Sequence, residues 1–216
     1  MLTKPIISPE QAAQKVITGN SMMIGGFMAT GSPHKIIDAL IQKGTKELNL
    51  ICTDTGFADK GIGRLISAKQ VASVKASHIG LNPETGRQMT SGEIDVELIP
   101  QGTLAESIRC GGAGIGGFLT KTGIGTLVEE NKQKVTVKDE EYLLELPLKA
   151  DVALIRASIV DTVGNCIFNK TTSNFNPVMA TAADLVIVEA EKVVEVGEID
   201  PDRFTLPGIF IDFIVA

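Results

Sequence analysis

Residues 21–52 read SMMIGGFMATGSPHKIIDALIQKGTKELNLIC, and the rest of the fold is read outward from them. Ser21-Met22-Met23-Ile24 is a short apolar run of the kind a buried strand shows. Gly25-Gly26-Phe27-Met28-Ala29-Thr30-Gly31 interrupts it. Ser32-Pro33 then stands where a helix cap stands, and Ile36, Ile37, Leu40 and Ile41 recur at helical spacing over residues 34–43. Gly44 closes that helix, and Leu48-Asn49-Leu50-Ile51-Cys52 is the next apolar run. Strand, helix, strand is a βαβ unit with a parallel pair, because a parallel connection needs a long crossover.

The alternation continues on both sides. Upstream, Ser8-Pro9-Glu10 before Gln11-Ala12-Ala13 predicts a capped helix with Pro in its first turn. Downstream, the spacing predicts a helix over 60–68, strands over 71–77 and 96–99, and a short helix over 104–109. Residues 134–137 and 141–145 alternate around charged turn residues, as a hairpin does. Residues 152–157 and 185–189 are continuous apolar runs, the mark of strands buried on both faces. Between them a helix is expected over 174–183, with Pro177 in its first turn. There is no internal repeat, low-complexity tract or long linker. The expectation is one α/β domain over residues 1–216, with a mainly parallel β-sheet flanked by helices and a small β-hairpin elaboration.

Composition narrows the function classes. The 216 residues are 44% hydrophobic, enough for one sizeable core. A net charge of -6 offers no basic face for nucleic-acid phosphates. Cys52, Cys110 and Cys166 are far apart and odd in number, so they make neither a disulfide framework nor a metal pair. His34 and His78 are too isolated for a zinc site. The start MLTKPIISPEQ has no signal-peptide core, and no apolar run reaches the roughly 18 residues of a membrane span. A soluble cytoplasmic protein is expected. The 22 glycines cluster, which suggests backbone approaching a ligand or another chain.

In open parallel sheets, ligands gather beyond the C-terminal ends of the strands. Three segments lie there: Gly25 to Gly31, then Cys52-Thr53-Asp54-Thr55-Gly56-Phe57, then Pro100-Gln101-Gly102-Thr103. The first could present backbone N–H groups to an anion, or be a tight connector. It matches neither GxGxxG nor a Walker-type loop. A GxGxxG does occur at Gly112, Gly114 and Gly117, but after a helix rather than a strand, so a mobile loop against a partner or ligand fits it better. Asp54, Glu84, Glu93, Glu106 and Gln101 are candidate polar site groups, although most Asp and Glu are solvated surface residues. His78 fits a structural histidine, and Phe27, Phe57 and Phe118 fit core plugs better than ligand contacts. No GxSxG is present. The residues alone describe a ligand-binding α/β domain without a complete catalytic set.

Longer motifs explain that gap. Asn20 to Pro33, reading NSMMIGGFMATGSP, resembles the signature of family I (3-oxoacid type) CoA-transferases, with Gly19-Asn20 where that family usually has Asp-Gly. Asn82-Pro83-Glu84-Thr85-Gly86, Pro100-Gln101-Gly102-Thr103-Leu104, the run from Arg109 to Thr120, Phe175-Asn176-Pro177, and Thr205 with Pro207-Gly208 extend the resemblance along the chain. It is similar, more narrowly, to the α (A) subunits of the acetate, butyrate and acetoacetate members. The resemblance implies CoA exchange between a short-chain acyl-CoA and a carboxylate, by way of an anhydride and a glutamyl-CoA thioester. The glutamate nucleophile would sit on a β subunit, so no catalytic residue is assigned to this chain. It further implies an α2β2 assembly and a CoA thioester as substrate rather than a tightly bound cofactor; composition adds the expectation of neither metal, nucleic acid nor membrane as partner. Gly25, Gly26, Phe27, Met28, Ala29, Thr30 and Gly31 would form the CoA-binding segment, with Gln101 a supporting polar residue and Gly111 to Gly117 an interface or gate. The alternatives are a phosphosugar-binding sensor or an isomerase of related architecture.

Overall fold

The computed structural model describes residues 3–216. The chain opens with β1 (Ile6–Ile7), α1 (Pro9–Gln14), β2 (Ser21–Ile24), α2 (His34–Lys43) and β3 (Leu48–Ile51). It continues through α3 (Gly63–Ser67), β4 (Val71–Ala76), α4 (Pro83–Thr90), β5 (Asp95–Leu98) and α5 (Gln101–Ala113). An antiparallel excursion follows, with β6 (Phe118–Thr120), β7 (Lys134–Val137) and β8 (Glu140–Glu145). The last part holds β9 (Ala150–Asp161), β10 (Cys166–Ile167), α6 (Asn176–Ala180), β11 (Ala183–Val194) and β12 (Phe213–Val215).

Nine strands form the main sheet, in the order β1-β12-β11-β9-β2-β3-β4-β5 with β10 beside β9. Every pair along this order is parallel, and only β10 runs antiparallel to its neighbour. Strand side chains alternate between faces. Met22 and Ile24 join the core that holds Ala12, Ile36, Leu40 and Leu65, while Met23 joins the opposite core with Leu104, Ile108 and Met179. All of these are fully buried, and each of the Ile, Leu and Met side chains contributes about 1.5–3 kcal/mol. The fold is therefore three-layered, with α1–α3 on one face and α5 and α6 on the other.

Winding decides where a ligand can sit. From β2 the chain moves outward through β3, β4 and β5; from β9 it moves the other way through β11 and β12. Strand order thus reverses between neighbouring β2 and β9, and such a reversal leaves a crevice beyond the strand ends. The loop after β2 opens into it, beginning where the Gly25 N–H donates to the Leu154 carbonyl of β9 at 2.9 Å.

Several sequence expectations need adjustment. The Ser8 cap is present, with Gln11 completing a capping box. Ser32-Pro33 does not cap α2 through a side chain. Instead the Glu189 carboxylate, buried on β11, accepts from the Ile36 N–H at 3.1 Å. The expected hairpin gains β6 and becomes a three-stranded sheet. The helix expected over 104–109 extends to Ala113, so Gly111 and Gly112 are helical rather than loop. A Cβ on Gly111 would lie 1.9 Å from the Leu148 carbonyl oxygen, and one on Gly112 2.2 Å from Thr181 Oγ1. Those glycines let α5 press against neighbouring chain. The helices expected over 60–68 and 174–183 shrink to α3 and α6. The helix α4 was not anticipated, although Asn82 caps it with Pro83 in its first turn. Among the described residues no helix is long and apolar enough to cross a membrane.

Candidate functional site

The loop after β2 folds back on itself. Phe27 and Thr30 exchange two backbone hydrogen bonds, at 3.0 and 2.9 Å, around Met28 and Ala29. Both central residues have positive φ, 49° and 65°, the requirement of a type I′ turn usually met by Asn and Gly. A residue with a Cβ held in this region costs roughly 1–2 kcal/mol, so surrounding structure must hold the turn. Asp54 Oδ2 accepts from the Met28 N–H at 3.0 Å. Asn174 Oδ1 accepts from the Gly26 N–H at 3.2 Å, and its Nδ2 donates to the Thr30 carbonyl at 3.0 Å. Asn176 Nδ2 donates to the Gly31 carbonyl at 3.1 Å.

Neighbouring side chains account for the glycines at the start of the loop. A Cβ on Gly25 would fall 1.8 Å from Asn176 Oδ1, and one on Gly26 2.2 Å from Ser32 Oγ. At these two positions the side chains of Asn176 and Ser32 already occupy the space that a Cβ would need. Phe27 and Met28 behave differently, with 47% and 41% of their surface exposed. Phe27 is therefore not the core plug its sequence context suggested. With Thr30, Thr171 and Asn174 they line an open hollow of about 480 Å³, a size suited to a small-molecule group.

The other two segments lie along the same sheet edge. Asp54 is buried and also accepts from the Gly56 N–H at 2.6 Å. Ser77, just after β4, donates to the Thr53 carbonyl at 2.7 Å and is hydrogen-bonded to Gln101 Oε1. Gln101 opens α5 beyond β5, three strand spacings from β2, or about 14 Å. It shares the edge with the loop but does not line its hollow. The Thr55 N–H donates to the His78 carbonyl, a structural place for His78. A second hollow, about 510 Å³, lies between the β4–β5 edge and the small sheet, among the Lys75–Glu97 and Lys132–Glu145 ion pairs. It includes neither Gln101 nor any residue from Gly25 to Gly31.

The remaining acidic candidates fall away. Glu84 and Glu93 both bind Arg87, and Glu106 binds Arg109, all at the surface. The Arg87 guanidinium holds the Glu84 carboxyl down at about 2. Cys52, Cys110 and Cys166 are buried free thiols, and burial pushes each above the usual thiol range. Burial also raises the Glu189 carboxyl, against the Ile36 and Lys35 N–H groups and the Arg156 charge that lower it. The residues that sequence reading passed over are Asn174, Asn176 and Glu189. The motif Phe175-Asn176-Pro177 was visible, but a clamp on a loop some 150 positions away has no local signature.

The loop after β3 repeats the spacing of the first. Gly26-Phe27-Met28-Ala29-Thr30-Gly31 is matched by Gly56-Phe57-Ala58-Asp59-Lys60-Gly61, and Phe57 pairs with Lys60 as Phe27 pairs with Thr30. The loops lie against each other: a Cβ on Gly61 would come within 3.2 Å of Ala29 Cβ and Ser32 Oγ.

Comparison with known proteins gives this geometry a family. Residues 6–216 match the coenzyme A transferase family. The chain is 55% identical over 198 residues to the acetate CoA-transferase subunit alpha of Escherichia coli, covering 92% of this chain and 90% of that one. It is 52% identical over 197 residues to the acetoacetyl-CoA:acetate/butyrate CoA transferase alpha subunit of Clostridium acetobutylicum, covering 91% and 90%. Among solved structures, an acyl-CoA transferase of Escherichia coli O157:H7 in a thioester complex with CoA superposes with a TM-score of 0.89 at 22% identity. It covers 99% of this chain and 47% of that one, so this chain spans about half the length of that structure. At that identity the likeness shows the fold alone. The relatives lend no support to a phosphosugar sensor or isomerase. The chain belongs to the coenzyme A transferase family and is an enzyme subunit of the CoA-transferring kind.

Proposed function

From that membership we propose that the chain is the α subunit of a cytoplasmic α2β2 enzyme moving CoA between a short-chain acyl-CoA and a carboxylate. Acetyl-, butyryl- and acetoacetyl-CoA are the substrates that its relatives' names support. The nucleophilic glutamate belongs to the β subunit. It takes the acyl group as an anhydride, receives CoA as a thioester, and passes it on in ping-pong fashion.

The observation that carries this reading is the turn after β2. It sits at the reversal of strand order and holds Phe27 and Met28 half-exposed over a hollow. In this reading residues 25–31 form one wall of the acyl-CoA site, with Phe27 and Met28 as the apolar contacts. Asparagines at its back spare the loop from solvating its own backbone. Gln101 stands further along the same edge as a supporting polar group.

The test is reconstitution. The purified chain alone is expected to be inactive with acetoacetyl-CoA and acetate. Mixed with a β subunit it should give exchange whose double-reciprocal plots run parallel. Activity of the isolated chain would overturn the division of labour, and an inactive complex would overturn the acyl-transfer reading.

A further inference from the structure

We infer that Asp54 is a positioning residue, a tie whose two carboxylate oxygens hold both Gly-Phe loops and keep the Met28–Ala29 turn in its strained form. Oδ1 closes a local turn on the Gly56 N–H at 2.6 Å, while Oδ2 reaches 26 positions back to the Met28 N–H at 3.0 Å. Asp54 is only 3% exposed, its bond to Gly56 is buried and its bond to Met28 partly so, and bonds to a charged acceptor are stronger than neutral ones.

The need for such a tie follows from the backbone. Met28 at φ 49° and Ala29 at φ 65° are the two central residues of the turn, and neither is Gly, Asn or Asp. Left alone, that turn relaxes toward common backbone angles, and Phe27 and Met28 leave the hollow they line. Asn174 holds the flanks at Gly26 and Thr30, the Ser32 N–H reaches the Ala29 carbonyl at 3.4 Å, and Asp54 is the side chain that takes the Met28 N–H. The second loop supplies the footing. Gly56 and Gly61 themselves take positive φ, 59° and 55°, and Gly61 packs on Ala29. Asp54 thereby makes the first loop's shape depend on the second. Its role in transfer rests on the acyl-CoA reading above; its role in the loop does not.

Asp54→Asn tests it selectively. An amide can keep its oxygen on the Gly56 N–H but then presents an NH2 to Met28, cutting the long tie with little change in volume. In the reconstituted complex, amide hydrogen exchange at Met28 to Gly31 should quicken. The kcat/KM for acyl-CoA should fall about tenfold, the scale of one lost hydrogen bond to a charged group. Adding Ala29→Gly, which makes the I′ turn favourable by itself, should restore most of that loss; a merely structural injury would not respond to it. Unchanged exchange at Met28, or an activity loss that Ala29→Gly leaves untouched, would overturn the proposal. An inactive wild-type complex would overturn the acyl-CoA reading instead, and the exchange measurement would still decide the tie.

Discussion

The two Gly-Phe loops share a spacing and an edge, yet they are built to different ends. In the loop after β2 the residues at the tip are Met28 and Ala29 in the left-handed region; in the loop after β3 the residues there, Ala58 and Asp59, do not enter it. Phe27 stands nearly half in solvent while Phe57 is more covered. The first loop is clamped from the far half of the sheet by Asn174 and Asn176, the second by nearby Asn82, whose Nδ2 donates to the Thr55 carbonyl at 3.1 Å. Strain maintained by distant partners marks a loop whose shape matters more than its stability. The second loop reads as its relaxed counterpart and support.

The difference can be broken at the matched glycines first. Gly26→Ala would force a Cβ to 2.2 Å from Ser32 Oγ at φ 126°, whereas Gly56→Ala meets nothing nearer than 3.3 Å at φ 59°. Denaturant unfolding should show a loss of about 3 kcal/mol for the first and about 1 kcal/mol for the second, from overpacking plus strain against strain alone. Equal losses would mean that the loops are equivalent. The phenylalanines come next, and their order reverses between the two assays. Phe57→Ala should cost about 1–2 kcal/mol of stability, and Phe27→Ala only about 0.5 kcal/mol, in proportion to burial. Transfer by the reconstituted complex should nonetheless suffer more from Phe27→Ala.

The smallest effect is in the helices that follow. The helix α2 leans on Glu189, while α3 begins at Ile62 with no side-chain cap. Because burial raises the Glu189 carboxyl above its ordinary 4.5, the folded chain keeps a proton that the unfolded chain has released between those two values. Stability from this group therefore falls as pH rises through that window. Glu189→Gln retains an acceptor for the Ile36 N–H and removes the titration. Unfolding followed from pH 4.5 upward should show a flatter profile than wild type, with neutral-pH stability equal or slightly higher.

How much of this was legible depends on range. Ser8, Gly44 and the apolar runs of β2, β3, β9 and β11 announced themselves, because a cap or a doubly buried strand is written in neighbouring residues. Gly111 and Gly112 misled, since a glycine that admits a neighbouring backbone looks the same in sequence as one that frees a loop. The helix expected from Asn174 fails at its start because the Asn174 side chain accepts from the Phe175 N–H at 2.7 Å and reaches across to Gly26. The placement of the three loops beyond the strand ends was visible from the order of apolar runs. Asp54 stood out as a polar candidate, but its hold on Met28 and the clamps Asn174 and Asn176 did not, since they act on a loop that only the folded sheet brings to them.

A last consequence concerns the three buried thiols. Thiol–disulfide exchange begins when a thiolate attacks a disulfide sulfur, so an accessible protein thiolate is open to any disulfide that a small thiol has formed. Cys52 lies two residues before Asp54, yet it is fully buried and held protonated by its apolar surroundings. The folded chain thus presents no accessible thiolate for such exchange. The same property makes alkylation a clock: in the intact fold these cysteines stay silent, and the rate at which they become labelled counts openings of the core.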